Sequence, residues 1–299
     1  MCGIVGLYTK NPDIEQRLGD YLSSMLIEMT ERGPDSAGIA VYRNPAPKGA
    51  TKLTLHNADP NYSWPQLAHD MQEELGDKVS VEVRGSHAVL IAHEQHPAIR
   101  AWLHHHHPEV SVVSVGDKIE IYKEMGLPAD VVQRFHLRDL RGTHALGHTR
   151  MATESAVTTE HSHPFSTGLD LCLVHNGSLS NHNRLRERLK KHDIEIRTDN
   201  DTEVAAGYLT WRLREGATLD EALEAAIKDL DGFYTFAVGT KDGFAVLRDP
   251  IACKHAVLAE TDDWVAMATE YRSIATLPGA DKAVIWEPVP AQIYSWSRA

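Results

Sequence analysis

Apolar residues recur with two different periods along this chain, and the alternation between them lays out its elements. Gly3 to Tyr8 is an unbroken apolar run of strand length and predicts a buried strand. Leu18, Leu22, Met25, Leu26 and Met29 follow at helical spacing, so a helix is expected from about Asp13 to Glu31 with one face turned inward. Arg32-Gly33-Pro34-Asp35 reads as a turn, Ile39 to Tyr42 as a second buried strand, and Asn44 to Gly49 as an exposed loop. β-Rich runs occupy Lys52 to His56, Val79 to Val83, Ala88 to Ala92 and Val110 to Val115. Pro128 suits the first turn of a helix ending near Arg134.

The second half alternates more cleanly. A strand over Leu171 to Val174 leads to Ser180, which is placed to cap a helix running to about Lys191. Asp201 opens a helix with Val204, Tyr208, Leu209 and Leu213 on its inner face. Leu219, Leu223, Ile227 and Leu230 mark the next, closed by Gly232. Phe233 to Val238 and Phe244 to Leu247 flank Gly239 to Gly243 as a hairpin, and Trp264 to Thr269 and Ala283 to Glu287 supply late strands. This order predicts an α+β fold in which sheets pack on each other with helices outside, rather than a doubly wound parallel sheet. With no internal repeat and no low-complexity linker, a single domain over residues 2–299 is expected.

Composition narrows the function. Across 299 residues the formal charge is −12, and no run of lysine and arginine is long enough to neutralise a phosphate backbone, so nucleic acid is not the expected partner. No stretch approaches the ~20 apolar residues a bilayer requires, and the apolar start is too short for a signal peptide. Cys2, Cys172 and Cys253 are too dispersed for a disulfide framework or a metal knot, which fits a reducing, cytoplasmic setting. Four of the 18 histidines form His104 to His107. No carboxylate or cysteine stands near them at a ligand interval, so a solvated histidine-rich loop is expected and no metal.

The candidate chemistry begins at Cys2. A methionine before a small residue is normally removed, which would leave a cysteine bearing both a thiol and a free α-amine. Cysteine thiols titrate near ~8.5 and α-amines near ~7.7–8.0, so the amine can take the thiol proton at neutral pH. Taken alone, Cys2 reads equally as a small apolar residue at the head of a buried strand. Four further clusters bear on it. Arg32 to Gly38 contains an arginine and an aspartate that a turn does not need. Gly147-His148-Thr149-Arg150 offers a guanidinium fork suited to a carboxylate, with the Thr153 hydroxyl nearby. In His175-Asn176-Gly177, an amide NH₂ and a glycine N–H could converge on a developing oxyanion. Thr198 to Val204 places acids, Asp201 among them, at a helix start.

Jointly and in this order, Cys-Gly-Ile, Arg-Gly-Pro-Asp, Gly-His-Thr-Arg, His-Asn-Gly and Asp-Thr-Glu resemble the class II, N-terminal-nucleophile glutamine amidotransferases. The resemblance spans Cys2 to about Tyr271, counting Arg248-Asp249-Pro250. It implies a four-layer αββα sandwich with a β-rich insertion at about 43–142. It also implies that Cys2 is the nucleophile and that Asn176 and Gly177 form the oxyanion hole. Arg150 and Thr153 would bind the glutamine α-carboxylate, Asp201 the α-amine, and Arg32 would belong to a loop that closes over glutamine. His163-Pro164-Phe165 matches a segment beside the pocket, with a structural histidine. The chain departs from the pattern at Met151, usually aromatic, and at Glu154, often histidine.

No phosphate-binding glycine loop is present, and the stretch after Arg272 is too short for a synthase domain. The expected protein is therefore the amidotransferase subunit of a multi-subunit synthase. In overall form it is most similar to the small subunits of methylamine–glutamate N-methyltransferases (N-methylglutamate synthases), which are glutamate-synthase-like systems. That similarity implies no cofactor in this chain, with flavin and an iron–sulfur cluster in partner subunits. A catalytically silent scaffold subunit, or an amidohydrolase for another amide, are the alternatives.

Overall fold

The computed structural model describes residues 2–76, 78–152 and 156–298. The chain opens with β1 (Gly3–Thr9), α1 (Pro12–Gln16), α2 (Leu18–Ile27) and β2 (Ser36–Tyr42). A middle stretch follows with β3 (Thr51–His56), α3 (Trp64–Leu75), β4 (Val79–Arg84), β5 (His87–Ala92), α4 (His96–His106), β6 (Ser111–Gly116), β7 (Ile119–Met125) and α5 (Pro128–Arg134). Next come β8 (His144–Arg150), β9 (Phe165–Gly168), β10 (Leu171–Leu179), α6 (His182–Lys190), α7 (Asp201–Arg214) and α8 (Leu219–Asp229). The remainder is β11 (Gly232–Thr240), β12 (Gly243–Arg248), β13 (Val257–Glu260), β14 (Trp264–Ala268), α9 (Tyr271–Ile274), β15 (Val284–Trp286) and β16 (Ile293–Ser297).

Among the described residues the strands form three antiparallel sheets. Seven strands run β15-β13-β14-β1-β8-β2-β7, five run β16-β12-β11-β10-β9, and four run β4-β5-β3-β6. Strand alternation shows how the first two stack, since successive side chains point to opposite faces. In β1, Val5 and Leu7 pack with α2 and α5, whereas Ile4 and Tyr8 meet Cys172, Val174, Phe244 and Val246 of the second sheet. In β10, Leu171 and Leu173 turn the other way, onto α6, α7 and α8. The layers are therefore helix, sheet, sheet, helix, the αββα sandwich.

The four-stranded sheet has its own core, Leu53, Leu55, Trp64, Leu67, Leu90 and Ile99 among its members. Only part of the long middle stretch belongs to it, because β7 returns to pair with β2 and α5 packs on the first sheet. Asp170 fastens the return: its carboxylate accepts from the backbone N–H of Asp117 (2.7 Å), Lys118 (2.8 Å) and Ile119 (3.0 Å).

Several expected elements change shape under tertiary contacts. The helix over 13–31 breaks at Arg17 and stops at Ile27. In an unbroken helix the Glu15 carbonyl would accept from Gly19 N–H. Instead it accepts from Gly142, and Gly19 donates to Leu140, so the loop before β8 intercepts the ladder. Ser180 is not a helix cap. Asn181 takes that position without a side-chain capping bond, its amide instead bonding Asp229 and Asp231, and the Ser180 hydroxyl donates to the Asp231 carbonyl. Gly232 does not close α8, which ends at Asp229 with Leu230 as its C-cap. Gly232 begins β11, opposite Leu179.

His104 to His106 are not in a loop but form the last turn of α4. Its Ile99, Trp102 and Leu103 are buried, and the His106 ring stacks on Trp102 with centroids 4.8 Å apart. His107 hydrogen-bonds the Tyr62 hydroxyl through Nδ1 (2.8 Å). Among the described residues, no helix is long and apolar enough to cross a membrane.

Candidate active site

Strand register gathers the site. Gly3 pairs with Thr149 and Ser36 with Arg150, which puts the head of β1, the end of β8 and the start of β2 at one end of the seven-stranded sheet. Cys2, half-buried and unpaired with any other cysteine, stands just before β1. Its backbone is held from two sides. Asn176 Nδ2 donates to the Cys2 carbonyl at 3.2 Å, and Arg32 Nε donates to the same oxygen at 3.0 Å. Behind it, Ile4 N–H donates to Thr269 Oγ1 at 2.8 Å.

Asn176-Gly177 is a dipeptide with strong turn chemistry, yet β10 runs straight through it, with Asn176 opposite Thr235 and Gly177 opposite Tyr234. The cross-strand ladder overrides the local preference. Gly177 has φ +150°, and a Cβ there would lie 2.0 Å from the Phe233 carbonyl, so only glycine fits. A close approach also fixes the other flank: a Cβ on Gly33 would lie 2.4 Å from the Arg150 nitrogen. The Arg-Gly-Pro-Asp turn can thus lie against the end of β8. Asp35 N–H donates to the Arg150 carbonyl (3.1 Å), and the Asp35 carboxylate accepts from Ala152 N–H (2.8 Å).

Arg150 is buried, and its Nη1 donates to the Ala156 carbonyl at 2.9 Å. Thr153 and Glu154 lie outside the described residues. Asp201 is the first residue of α7, whose N-cap is Asn200. Its carboxylate accepts from Leu179 N–H at 2.9 Å and faces His175 Nδ1 at 3.6 Å. Burial pushes this carboxyl upward, but hydrogen bonding and charge from His175, with the Leu179 N–H, outweigh burial and hold it below its ordinary value.

Arg32 ends a short 3₁₀ turn, Thr30–Arg32, and besides donating to the Cys2 carbonyl, its Nη1 pairs with Glu270 at 2.7 Å. Glu270 was not legible in the sequence, because its partner is 238 residues away. Met151 lines a cleft of about 360 Å³ with Glu31, Arg32, Glu270 and Arg272.

Three histidines support Asn176 and Asp201 from within. His148 Nε2 faces the His175 carbonyl at 3.1 Å and therefore carries its proton there. The His148 ring stacks on His163, centroids 3.9 Å apart. Thr202 Oγ1 stands between His175 Nδ1 (3.0 Å) and His163 Nε2 (3.3 Å). His163 is thus structural. Burial depresses His148 to about 3 against the pull of the His175 carbonyl, and likewise His144 to about 3 against that of Thr240. Burial, with His148 and His175 beside it, also holds His163 well below its ordinary value.

Below the unfolded-state histidine pKa of about 6.5, the unfolded chain binds protons that the folded chain refuses. The stability these neutral rings contribute is present above that pKa and is lost as the pH falls toward about 3. The thermal midpoint should drop steadily between about pH 6.5 and pH 4, and His148→Gln should make that slope shallower. A midpoint flat over this window would refute the assignment.

Among the described residues no three His, Cys, Asp or Glu side chains gather as a metal-binding group. The αββα sandwich with a cysteine at the head of a central strand defines the N-terminal-nucleophile hydrolase fold. A solved glutamine phosphoribosylpyrophosphate amidotransferase from B. subtilis superposes with a TM-score of 0.63 at 19% identity, over 99% of this chain and 47% of that one. A family model for the glutamine amidotransferase domain matches residues 148–276. The glutamine amidotransferase-like protein GlxB of Rhizobium meliloti is 54% identical over 297 residues, covering 99% of this chain and 98% of that protein. A putative glutamine amidotransferase of Methanothermobacter thermautotrophicus is 31% identical over 98% of this chain and 99% of its own length. The chain belongs to the class II glutamine amidotransferases.

Proposed function

We propose that the chain hydrolyses glutamine through a γ-glutamyl thioester on Cys2 and passes the nitrogen to a partner synthase. The observation that supports this best is the placement of Asn176 Nδ2 3.2 Å from the Cys2 carbonyl, which sets the Asn176-Gly177 donors beside the nucleophile. In the reaction, Cys2 Sγ attacks the side-chain amide carbon while its proton passes to the Cys2 α-amine. The Asn176 amide and the Gly177 N–H stabilise the oxyanion. The α-amine returns the proton to the leaving nitrogen, the C–N bond breaks, and ammonia departs. Water then cleaves the thioester to glutamate, or an amine intercepts it. Arg150 and Thr153 hold the substrate carboxylate, Asp201 its ammonium, and Arg32 fixes the backbone of Cys2.

The acceptor chemistry would belong to other subunits of an N-methylglutamate-synthase or glutamate-synthase-like complex, with flavin and an iron–sulfur cluster there. Given glutamine and hydroxylamine, the processed chain or its native complex should form γ-glutamyl hydroxamate, since hydroxylamine displaces the thiol of a thioester. If neither preparation releases glutamate nor forms hydroxamate, the reading fails.

A further inference from the structure

A partly open cavity of about 950 Å³ lies between the four-stranded sheet and the αββα body. None of Cys2, Arg150, Asn176, Gly177 or Asp201 lines it. Its size is that of small-molecule sites, which combine apolar walls with a few converging polar groups. Here Val113, Val115, Phe165, Leu169 and Leu213 supply apolar surface from β6, β9, the turn after it and the end of α7.

The charges deep in the cavity already have partners. Lys123 is buried and donates to the carbonyls of Glu160 (3.1 Å), Ser162 (2.7 Å) and Pro164 (3.3 Å). The Glu203 carboxylate accepts from the N–H groups of Arg197 (3.0 Å) and Thr198 (2.6 Å). The rim is different. Arg100 and Arg197 share the single carboxylate of Glu195, at 2.9 and 3.2 Å; Arg197 also donates to the Val112 carbonyl at 3.1 Å, and Arg214 donates to the Asp193 backbone carbonyl at 3.3 Å. His96 also lines the cavity, with a buried Nδ1 that has no partner. Among the described residues, Arg100 and Arg197 thus have one carboxylate between them, that of Glu195, beside an imidazole nitrogen that has no partner.

We infer that this cavity is a second ligand site, which takes a small organic anion with an apolar body: the body lies along β6 and β9, and the acid group meets Arg100, Arg197 and His96. The middle stretch of the chain then serves as one wall of a binding chamber. Binding is independent of glutamine hydrolysis, so this inference and the reaction proposed above can fail separately.

The probe is 8-anilino-1-naphthalenesulfonate, an aromatic body with one sulfonate, followed by fluorescence on the full chain. Saturable one-site binding is expected. Arg100→Gln combined with Arg197→Gln should weaken it about ten-fold, as should use of the uncharged N-phenyl-1-naphthylamine. Ser166→Trp, which fills the chamber from β9, should abolish it, with unchanged circular dichroism showing that the variants fold. Unsaturable binding would overturn the inference. So would equal binding of the neutral probe, or affinity unmoved by the arginine changes in folded protein.

Discussion

Cys2→Ala should lower glutamate release by about 10⁴-fold or more while leaving the thermal midpoint close to that of the parent chain. In the proposed mechanism the effect is large because the thiol itself would form the covalent bond to the substrate. Cys172, another free thiol, is buried between the sheets, where burial pushes its pKa up to about 11. An equally large loss is expected when a non-removable residue is fused ahead of Cys2, although the thiol is still present. That variant keeps the nucleophile and moves the α-amine, so it separates the two roles. Intact mass and glutaminase rate measured on the same preparations decide the matter: an active chain that retains Met1 would remove the amine from the mechanism.

Asn176→Ala should reduce kcat by about 10²–10³, equivalent to about 3–4 kcal/mol of lost oxyanion stabilisation, with KM for glutamine nearly unchanged. The asymmetry follows from charge, which develops on the amide oxygen only as the tetrahedral intermediate forms. Asn176 also donates to the Cys2 carbonyl, so the substitution has a structural side that needs its own control. The rate of Cys2 alkylation by iodoacetamide provides it. An unchanged alkylation rate with a collapsed kcat assigns the loss to the transition state, whereas an equal fall in both assigns it to a displaced nucleophile. Gly177→Ala should do more damage, because its methyl group would strike the Phe233 carbonyl and force apart the β10–β11 pair.

The candidate cluster is nameable from the sequence because each part of it is a short contiguous run whose chemistry survives without knowledge of the fold. Cys2, Arg150, Asn176-Gly177 and Asp201 fall on four different elements, and strand register does the rest. The continuous apolar runs of β1, β10, β11 and β12, with the order of strands and helices, likewise point to strands buried on both faces, and hence to stacked sheets. What escapes is whatever depends on a distant partner. Nothing near Arg17 announces that Gly142 and Leu140 will take over the hydrogen bonds of the helix. Nothing near Asn176 says that a turn dipeptide will be held extended by Thr235 and Tyr234. The α4 helix is a different case. Ile99, Trp102 and Leu103 carry the helical spacing locally, but four consecutive histidines obscure it.

β1 lies in the interior of its sheet, between β8 and β14, and the segments that flank it are made long after it. During synthesis the first strand must wait, unpaired, until residues 144–150 and then 264–268 have left the ribosome. In that interval the amino terminus is open to the aminopeptidase that would trim it. Of the groups that hold Cys2, Asn176 arrives with β10, between those two strands in chain order, and the Arg32 clamp is complete only once Glu270 has been made. A partly translated chain therefore carries Cys2 without the side chains that hold its backbone.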